Sequence, residues 1–334
     1  MKKALIAAGI VLLVAFGGLY ALLQDLERYG DTPTEPGAAD KVVTISPGQG
    51  FSSVADDLKR QGIITQPLKF KWIARQSGRD KKIQAGEYLL SPALTPRQVL
   101  DKLVSGDVRL HRLTIPEGYT LDQIATAVAD GGFAAREAFM EAVNNPELPA
   151  LYGIESSSLE GYLFPDTYLF AREATAADIV TAMLKRFQEV FNATWRQRAE
   201  QIGMTVHEVV TLASIIEKET GTASERPLIS SVFHNRLKKG MRLETDPTVI
   251  YGISNFNGNL TRADLATPTP YNTYLVAGLP PGPIASPGEA SLEAALYPAD
   301  TQYLFFVSKN DQTHEFSTNL VDHNHAVNRY QRKK

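Results

Sequence analysis

The chain begins with an uncharged apolar run that limits where the rest of it can be. Lys2 and Lys3 precede the run, and the twenty residues 4–23 contain no charged side chain. Twenty helical residues rise about 30 Å, which matches the hydrocarbon core of a bilayer. A cleaved signal peptide is the alternative, but its apolar core is usually about 7–15 residues long and ends at a small-residue cleavage site. We therefore predict an uncleaved transmembrane anchor over residues 4–23.

The two lysines also predict the orientation of this anchor. Positively charged residues beside a membrane span stay mostly on the cytoplasmic side. Residues 1–3 are therefore expected to form a short cytoplasmic tail, and the chain from Gln24 onward is expected outside the cytoplasm. The prediction is a single-pass protein of the cell (inner) membrane.

Composition excludes several classes of function. The chain has no cysteine, so disulfides, thiol nucleophiles and cysteine metal sites are excluded, and the fold must depend on its hydrophobic core. With 43% hydrophobic residues, the 334-residue chain is long enough for two or three domains. The net charge is −3 and no basic stripe is present, which disfavours nucleic acid as a partner.

The segment after the anchor predicts a tether and then a small folded unit. Residues 30–40 are polar and rich in proline and glycine, and we predict a flexible tether over residues 24–40. Residues 41–108 predict a unit with the order strand, helix, helix, strand. Its predicted elements are a strand at 42–46, a helix capped by Ser52 or Ser53, a helix at 67–76 and a strand at 83–90.

This small unit resembles a lysin motif, a module that binds glycan chains. The resemblance depends on the Pro47-Gly48 turn after the first strand, on the helix that carries Val54 and Leu58, and on the order of the elements. It implies glycan binding by residues 41–108. The alternative interpretation is a spacer without binding function.

The remaining chain predicts a connecting segment at 109–156 and a larger domain at 157–334. Residues 115–125 are similar to residues 45–55, since both combine a strand end, a glycine turn and the start of a helix. The larger domain is predicted to contain helices at 178–191 and 206–220, a loop at 267–287 with six prolines, and a buried strand at 303–307. The predicted fold class is α+β, with one N-terminal transmembrane helix, a small lysin-motif-like unit and a larger α+β domain.

Two kinds of catalytic site find no support in the sequence. His323 and His325 are the closest histidine pair, and the spacing of histidine and glutamate that builds a zinc helix does not occur. The Gly-x-Ser-x-Gly turn of serine hydrolases is also missing. We therefore predict no metal and no cofactor.

The helix predicted at 206–220 carries two carboxylates near its end. Most of its side chains are apolar, which predicts burial, and Glu217 and Glu219 follow in the last turn. Burial and the negative end of a helix dipole both raise a carboxyl pKa, and a carboxyl group that stays protonated near neutral pH can act as a general acid on a glycosidic bond. The alternative is that both acids reach solvent or pair with Lys218 or Arg226. Periodicity alone does not choose between Glu217 and Glu219.

The stretch Ala213-Ser214-Ile215-Ile216-Glu217-Lys218-Glu219-Thr220 resembles the catalytic helix of the endolytic murein transglycosylases, the YceG-like family. Further blocks resemble that family in the same order, and together they run from about residue 157 to 325, over half of the chain. These blocks are residues 159–168, 225–237, 240–251, 271–274, 278–284 and 314–319.

This resemblance implies a lyase that cuts the glycan strands of peptidoglycan within the chain, with Glu217 as the single acid and base. It implies a catalytic domain at 157–334 and no cofactor. Glycan strands are the expected partner, and cell-wall synthases are a further partner by family analogy. The residues expected to bind substrate are Tyr271, Asn272, Tyr274, Asn319, Glu160, Arg226, Asn235, Arg236 and Asp246.

Two other functions remain open from the sequence. A hydrolytic muramidase would use Glu217 with a second acid such as Glu219, because hydrolysis normally needs two carboxylates. A glycan-binding scaffold of cell-wall synthesis would use the same cleft without catalysis. Arg226 and Asp246 can also have a purely structural pairing role.

Overall fold

The computed structural model describes the backbone of residues 2–332 and the side chains of residues 5–332. Met1 and the lysine side chains of the predicted cytoplasmic tail lie outside the described residues, as do the last two residues of the predicted catalytic domain. The chain folds into two units. The first comprises the residues up to His111 together with Leu169–Glu173, and the second comprises Arg112–Tyr168 and the residues from Ala174 onward. Most of the predicted connecting segment therefore belongs to the same unit as the predicted catalytic domain.

The N-terminal helix, α1 (Lys2–Gly30), extends seven residues past the predicted end of the anchor. Its segment Leu5–Gly30 is long and apolar enough to cross a membrane. Leu26 and Tyr29, in its last turns, are buried in the first unit. The flexible tether was predicted to begin at residue 24. This start is wrong, because residues 24–30 are helical and their side chains Leu26 and Tyr29 are buried.

The rest of the first unit has the predicted order of strand, helix, helix and strand. Its elements are β1 (Lys41–Ile45), α2 (Phe51–Arg60), α3 (Pro67–Gln76), β2 (Gly86–Leu90) and α4 (Pro96–Ser105). The two strands are antiparallel, with Val43 opposite Tyr88. The predicted serine cap of α2 is wrong, because Gly50 is the N-cap residue and no side chain caps this helix.

The second unit is mainly helical. The strands β3 (Leu110–Thr114) and β4 (Thr167–Ala171) pair with each other, and the division between the units falls within both. Its helices are α5 (Leu121–Asp130), α6 (Arg136–Val143), α7 (Leu148–Leu151), α8 (Ala176–Val190), α9 (Ala193–Gln201), α10 (Val206–Glu219), α11 (Arg226–Lys238), α12 (Asp246–Gly252), α13 (Arg262–Leu265), α14 (Glu289–Leu296) and α15 (Leu320–Tyr330), with a 3₁₀ turn at Ala223–Glu225.

A hairpin of β5 (Phe305–Ser308) and β6 (His314–Ser317) lies between α14 and α15 along the chain. The predicted strand at 303–307 is therefore confirmed in part. Only Val307 of β5 is buried, while Phe305 and Phe306 are half-buried. A two-stranded hairpin leaves one edge of each strand uncovered, so this strand is less buried than its aromatic run predicted.

The helix α10 is the central element of the second unit, and its prediction from sequence is confirmed. Its first turn is closed by a capping box, in which the Thr205 hydroxyl accepts from the Glu208 N–H. Every residue from Val209 to Ile216 is buried. Such a helix has neighbours on all sides, and these are α9, α11, α12 and α14.

The proline-rich loop between α13 and α14 is fixed directly onto α10. The Ile284 N–H donates to the Ser214 hydroxyl of α10 over 3.0 Å. His207, in the first turn of α10, lies 2.9 Å from the Pro281 carbonyl through Nε2, and its Nδ1 lies 2.8 Å from the Tyr162 hydroxyl. The carbonyl can only accept, so Nε2 donates and Nδ1 accepts from Tyr162.

The close packing of this loop against Gly161 can be tested by substitution. Its φ is +83°, and a Cβ atom there would lie 2.4 Å from Pro283 Cβ. We expect Gly161→Ala to lower the free energy of unfolding by about 2–4 kcal/mol, because it adds both backbone strain and a clash. Gly153 is the matched control, with φ +63° and nothing within 4 Å of a Cβ. Gly153→Ala should cost only about 1 kcal/mol, and equal losses in denaturant unfolding would contradict this packing.

Candidate active site

The C-terminal end of α10 presents two carboxylates on different sides. Glu217 and Glu219 are two residues apart, and successive helical residues turn by about 100°, so the side chains point about 200° apart. They therefore meet different neighbours. The two surroundings differ in charge, in burial and in the loops that build them.

Glu217 is held by a backbone N–H group and lies near an arginine. The Gly288 N–H donates to Glu217 Oε2 over 3.0 Å. Arg226 Nη2, at the start of α11, lies 3.7 Å from Glu217 Oε1. The Glu217 side chain is only 8% exposed, and Arg226 has a buried Nε without a hydrogen-bond partner. These contacts fix the Glu217 carboxylate in position at the C-terminal end of α10.

Glu117 is a second carboxylate beside Glu217, and it was not among the residues predicted from the sequence. It lies in the turn between β3 and α5, which is joined to the loop before α14 by the Gly118 N–H donating to the Ser286 carbonyl over 2.8 Å. A Cβ atom on Gly288 would lie 1.9 Å from Glu117 Oε1. The two carboxylates therefore both lie next to Gly288. Partial desolvation and the negative charge of Glu217 raise the pKa of Glu117, and Arg226 opposes this.

Glu219 faces a separate cavity of about 490 Å³. Burial is the main cause that raises the pKa of Glu219, the charge of Asp246 adds to it, and the Thr245 hydroxyl, which donates to Glu219 Oε1, opposes it. The cavity is also lined by Arg236, Asp246, Tyr274, Phe305, His314 and His323. Glu219 therefore lines this cavity together with predicted substrate-binding residues.

Three of the nine residues expected to bind substrate lie at this cavity. The Tyr274 hydroxyl donates to Asp246 Oδ1 over 2.7 Å. Arg236 is 7% exposed, and its guanidinium donates to the carbonyls of Leu304 (2.7 Å) and Leu243 (2.9 Å). Arg236 therefore fixes the walls of the cavity, whereas Tyr274 and Asp246 keep polar atoms at its surface.

The three predicted asparagines use their amides within the protein. Asn272 Nδ2 donates to the Leu265 carbonyl over 3.0 Å, and Asn235 Nδ2 donates to the Thr301 carbonyl over 2.9 Å. Asn319 caps α15, since its Oδ1 accepts from the Asp322 N–H over 3.0 Å. These contacts give all three asparagines a structural role.

Glu160 and Tyr271 belong to a third group. Glu160 is 7% exposed, and it accepts from the Leu121 N–H over 3.1 Å and from the Tyr251 hydroxyl over 3.1 Å. The rings of Tyr251 and Tyr271 lie 4.8 Å apart. Burial raises the pKa of Glu160 to about 7. Within residues 2–332, no three His, Asp or Glu side chains group as metal ligands.

Sequence and structure comparisons find clear relatives. A family model described as "YceG-like family" matches residues 43–329. The chain is 34% identical over 322 residues to a Bacillus subtilis protein named endolytic murein transglycosylase, and the match covers 90% of this chain and 89% of that protein. It is 30% identical to a Streptococcus pneumoniae protein of the same name, over 85% of this chain and 57% of that protein.

A solved structure has a similar fold. It is a yceG-like protein from Listeria monocytogenes, with a TM-score of 0.60 and 35% sequence identity. The match covers 86% of this chain and 98% of the Listeria chain. The family resemblance expected from the sequence blocks is therefore confirmed.

Glu160 predicts a dependence of stability on pH. Its pKa is about 7 in the folded chain against an ordinary value of 4.5. Between these values the unfolded state loses the proton first, so stability falls as pH rises. We expect the melting temperature to fall from about pH 5 to about pH 7.5, and Glu160→Gln to reduce that fall. An identical fall in both proteins would show that Glu160 does not titrate in this window.

Proposed function

The chain belongs to the YceG-like family, and on that premise we propose that it is a membrane-anchored lytic transglycosylase. Its substrate would be the glycan strand of peptidoglycan, cut within the chain between N-acetylmuramic acid and N-acetylglucosamine. Relatives named endolytic murein transglycosylase support this activity. Cutting nascent strands would end their elongation, beside cell-wall synthases.

Glu217 is proposed as the acid and base of this reaction. Protonated Glu217 gives its proton to the oxygen that leaves muramic C1, and the bond between C1 and that oxygen breaks. The carboxylate then takes the proton of the muramic 6-hydroxyl as this oxygen bonds to C1. The product is a 1,6-anhydro end, the proton is returned to Glu217 and no water is consumed. The observation that carries the assignment is the fixed and nearly buried Glu217 side chain at the end of α10.

The cavity beside Glu219 is proposed to bind a part of the glycan strand away from the bond that Glu217 cuts. Tyr274 and Asp246 supply a hydroxyl and a carboxylate, and Phe305 supplies an aromatic face. Sugars are bound by such combinations, because their hydroxyls hydrogen-bond while their C–H faces lie on aromatic rings. The other residues expected from the family resemblance stay proposed substrate contacts, and these are Glu160, Arg226, Tyr271, Arg236, Asn235, Asn272 and Asn319.

One observation favours a second candidate, a hydrolytic muramidase. Glu117 and Glu217 both lie next to Gly288, and hydrolysis uses two carboxylates, one as acid and one as base or nucleophile. Glu219 is the second acid that the sequence offered for this reaction. Since Glu219 points away from Glu217, Glu117 is the better placed partner.

The proposed localisation is a single membrane span with the bulk of the chain outside the cytoplasm. Support comes from the exposed apolar side chains of α1 before residue 24 and from the burial of Leu26 and Tyr29 directly after them. A signal sequence is removed, and its removal here would take away a helix that continues into the packed part of the first unit. Glycan binding by residues 41–108, as in a lysin motif, is a further proposal that depends on the shared order of elements.

The catalytic assignment predicts a contrast between neighbouring variants. Glu217→Gln keeps the shape of the side chain but cannot supply a proton, so anhydro-product release should fall by at least about 10²–10⁴-fold. Glu219→Gln should retain much more activity, because the one-carboxyl reaction gives Glu219 no proton to transfer. Anhydro-muropeptides released from the same glycan by each variant measure this, with melting temperatures recorded alongside.

Two results would contradict the assignment. A folded Glu217→Gln protein that cuts at the parent rate would remove Glu217 from the reaction. A dead Glu219→Gln protein beside an active Glu217→Gln protein would move the reaction to the cavity with Asp246 and Tyr274.

A further inference from the structure

The helix α3 exposes two large apolar side chains on one face. Leu68 is 80% exposed and Trp72, one turn later, is 38% exposed. Phe70, Ile73 and Ala74 on the other side of α3 are buried in the core of the first unit. An exposed leucine alone is ordinary, but an exposed leucine and tryptophan that share a helix face indicate a contact surface.

This helix packs against the end of α1, where the chain leaves the apolar run. Lys69 of α3 forms an ion pair with Asp25 of α1, and its Nζ lies 5.7 Å from the centre of the Tyr29 ring. Asp25 follows the last residue of the run by two positions, which is about 3 Å along the helix axis. Leu68 precedes Lys69 directly, so the first turn of α3 lies close to the level at which α1 leaves the hydrocarbon core.

The composition of α3 fits the interfacial layer of a bilayer. It carries no acidic residue and three basic ones, of which Lys69 and Lys71 are ion-paired with Asp25 and Asp56 while Arg75 is exposed. Tryptophan is enriched at the boundary between hydrocarbon and headgroups, and lysine and arginine are attracted to anionic headgroups. The headgroup region adds several ångströms on each side of the roughly 30 Å hydrocarbon core, which is enough to include Leu68 and Trp72 one turn apart.

We propose that the α3 face formed by Leu68 and Trp72 inserts into the headgroup layer of the membrane that α1 spans. This inference depends on the proposed anchor. The occupant is lipid rather than glycan because the contacts of Lys69 with α1 hold α3 beside the membrane span. The helical continuation of α1 to Gly30 and this insertion together hold the first unit at the membrane surface.

The two tryptophans of the chain, Trp72 and Trp195, allow a direct test. The full chain with Trp195→Phe is reconstituted in vesicles of phosphatidylethanolamine and phosphatidylglycerol that carry a quencher either near the headgroups or deep in the acyl chains. We expect Trp72 emission to be quenched, and more strongly by the shallow label. Adding Leu68→Glu should at least halve the quenching. Leu89→Glu, which changes an exposed leucine on β2 instead of α3, should leave it unchanged.

The outcomes separate this inference from its premise. Protein that stays with the vesicles after a carbonate wash while Trp72 is not quenched would overturn the docking and leave the anchor. Protein released by the wash would overturn both. Trp72 emission that responds to soluble glycan fragments but not to labelled lipid would make this face a glycan site instead. Leu68 is exposed, so circular dichroism of Leu68→Glu should match the parent.

Discussion

Burial of α10 on all sides is the constraint on which the rest of the second unit depends. Eight consecutive buried residues, from Val209 to Ile216, leave polar chemistry only at the ends of this helix. The hydroxyl of Ser214 is used to fix a loop rather than to react. The negative charge of an acid is disfavoured at the C-terminal end of a buried helix. Glu217 and Glu219 therefore need partners that the helix does not supply. The surrounding loops provide them, and the site follows from that need.

Three distant parts of the chain meet at Glu217. The loop before α14 contributes the Gly288 N–H, the turn after β3 contributes Glu117, and α11 contributes Arg226. The same loop is held at its other end by His207 and Ser214 of α10. Its prolines reduce the conformational entropy lost on ordering, which explains how a long segment without helix or strand can position a backbone donor.

Local patterns allowed much of the fold to be predicted, and through-space contacts account for what was missed. The helix at 67–76 and the buried helix at 206–220 were predicted because the pattern of apolar residues is a local signal. Glu117 was not predicted because only the folded chain brings it next to Gly288. Its turn was recognised only as similar to the turn at residues 47–50. The predicted tether is too long because it was assigned from the proline and glycine residues after residue 30. The apolar residues Leu26 and Tyr29 before them were not recognised as buried helical residues. Sequence also does not reveal that the amides of Asn235, Asn272 and Asn319 reach partners within the protein, and their contact with substrate stays a prediction.

The central claim is that one carboxyl group performs an intramolecular transfer, so the most direct measurement follows the fate of water. Peptidoglycan digested by the full-length protein in ¹⁸O-enriched water can be analysed by mass spectrometry at the new muramic ends. The account predicts ends that are lighter by one water and carry no ¹⁸O, since the 6-hydroxyl attacks C1. Reducing ends that carry ¹⁸O would contradict it and would indicate that Glu117 and Glu217 act together on water.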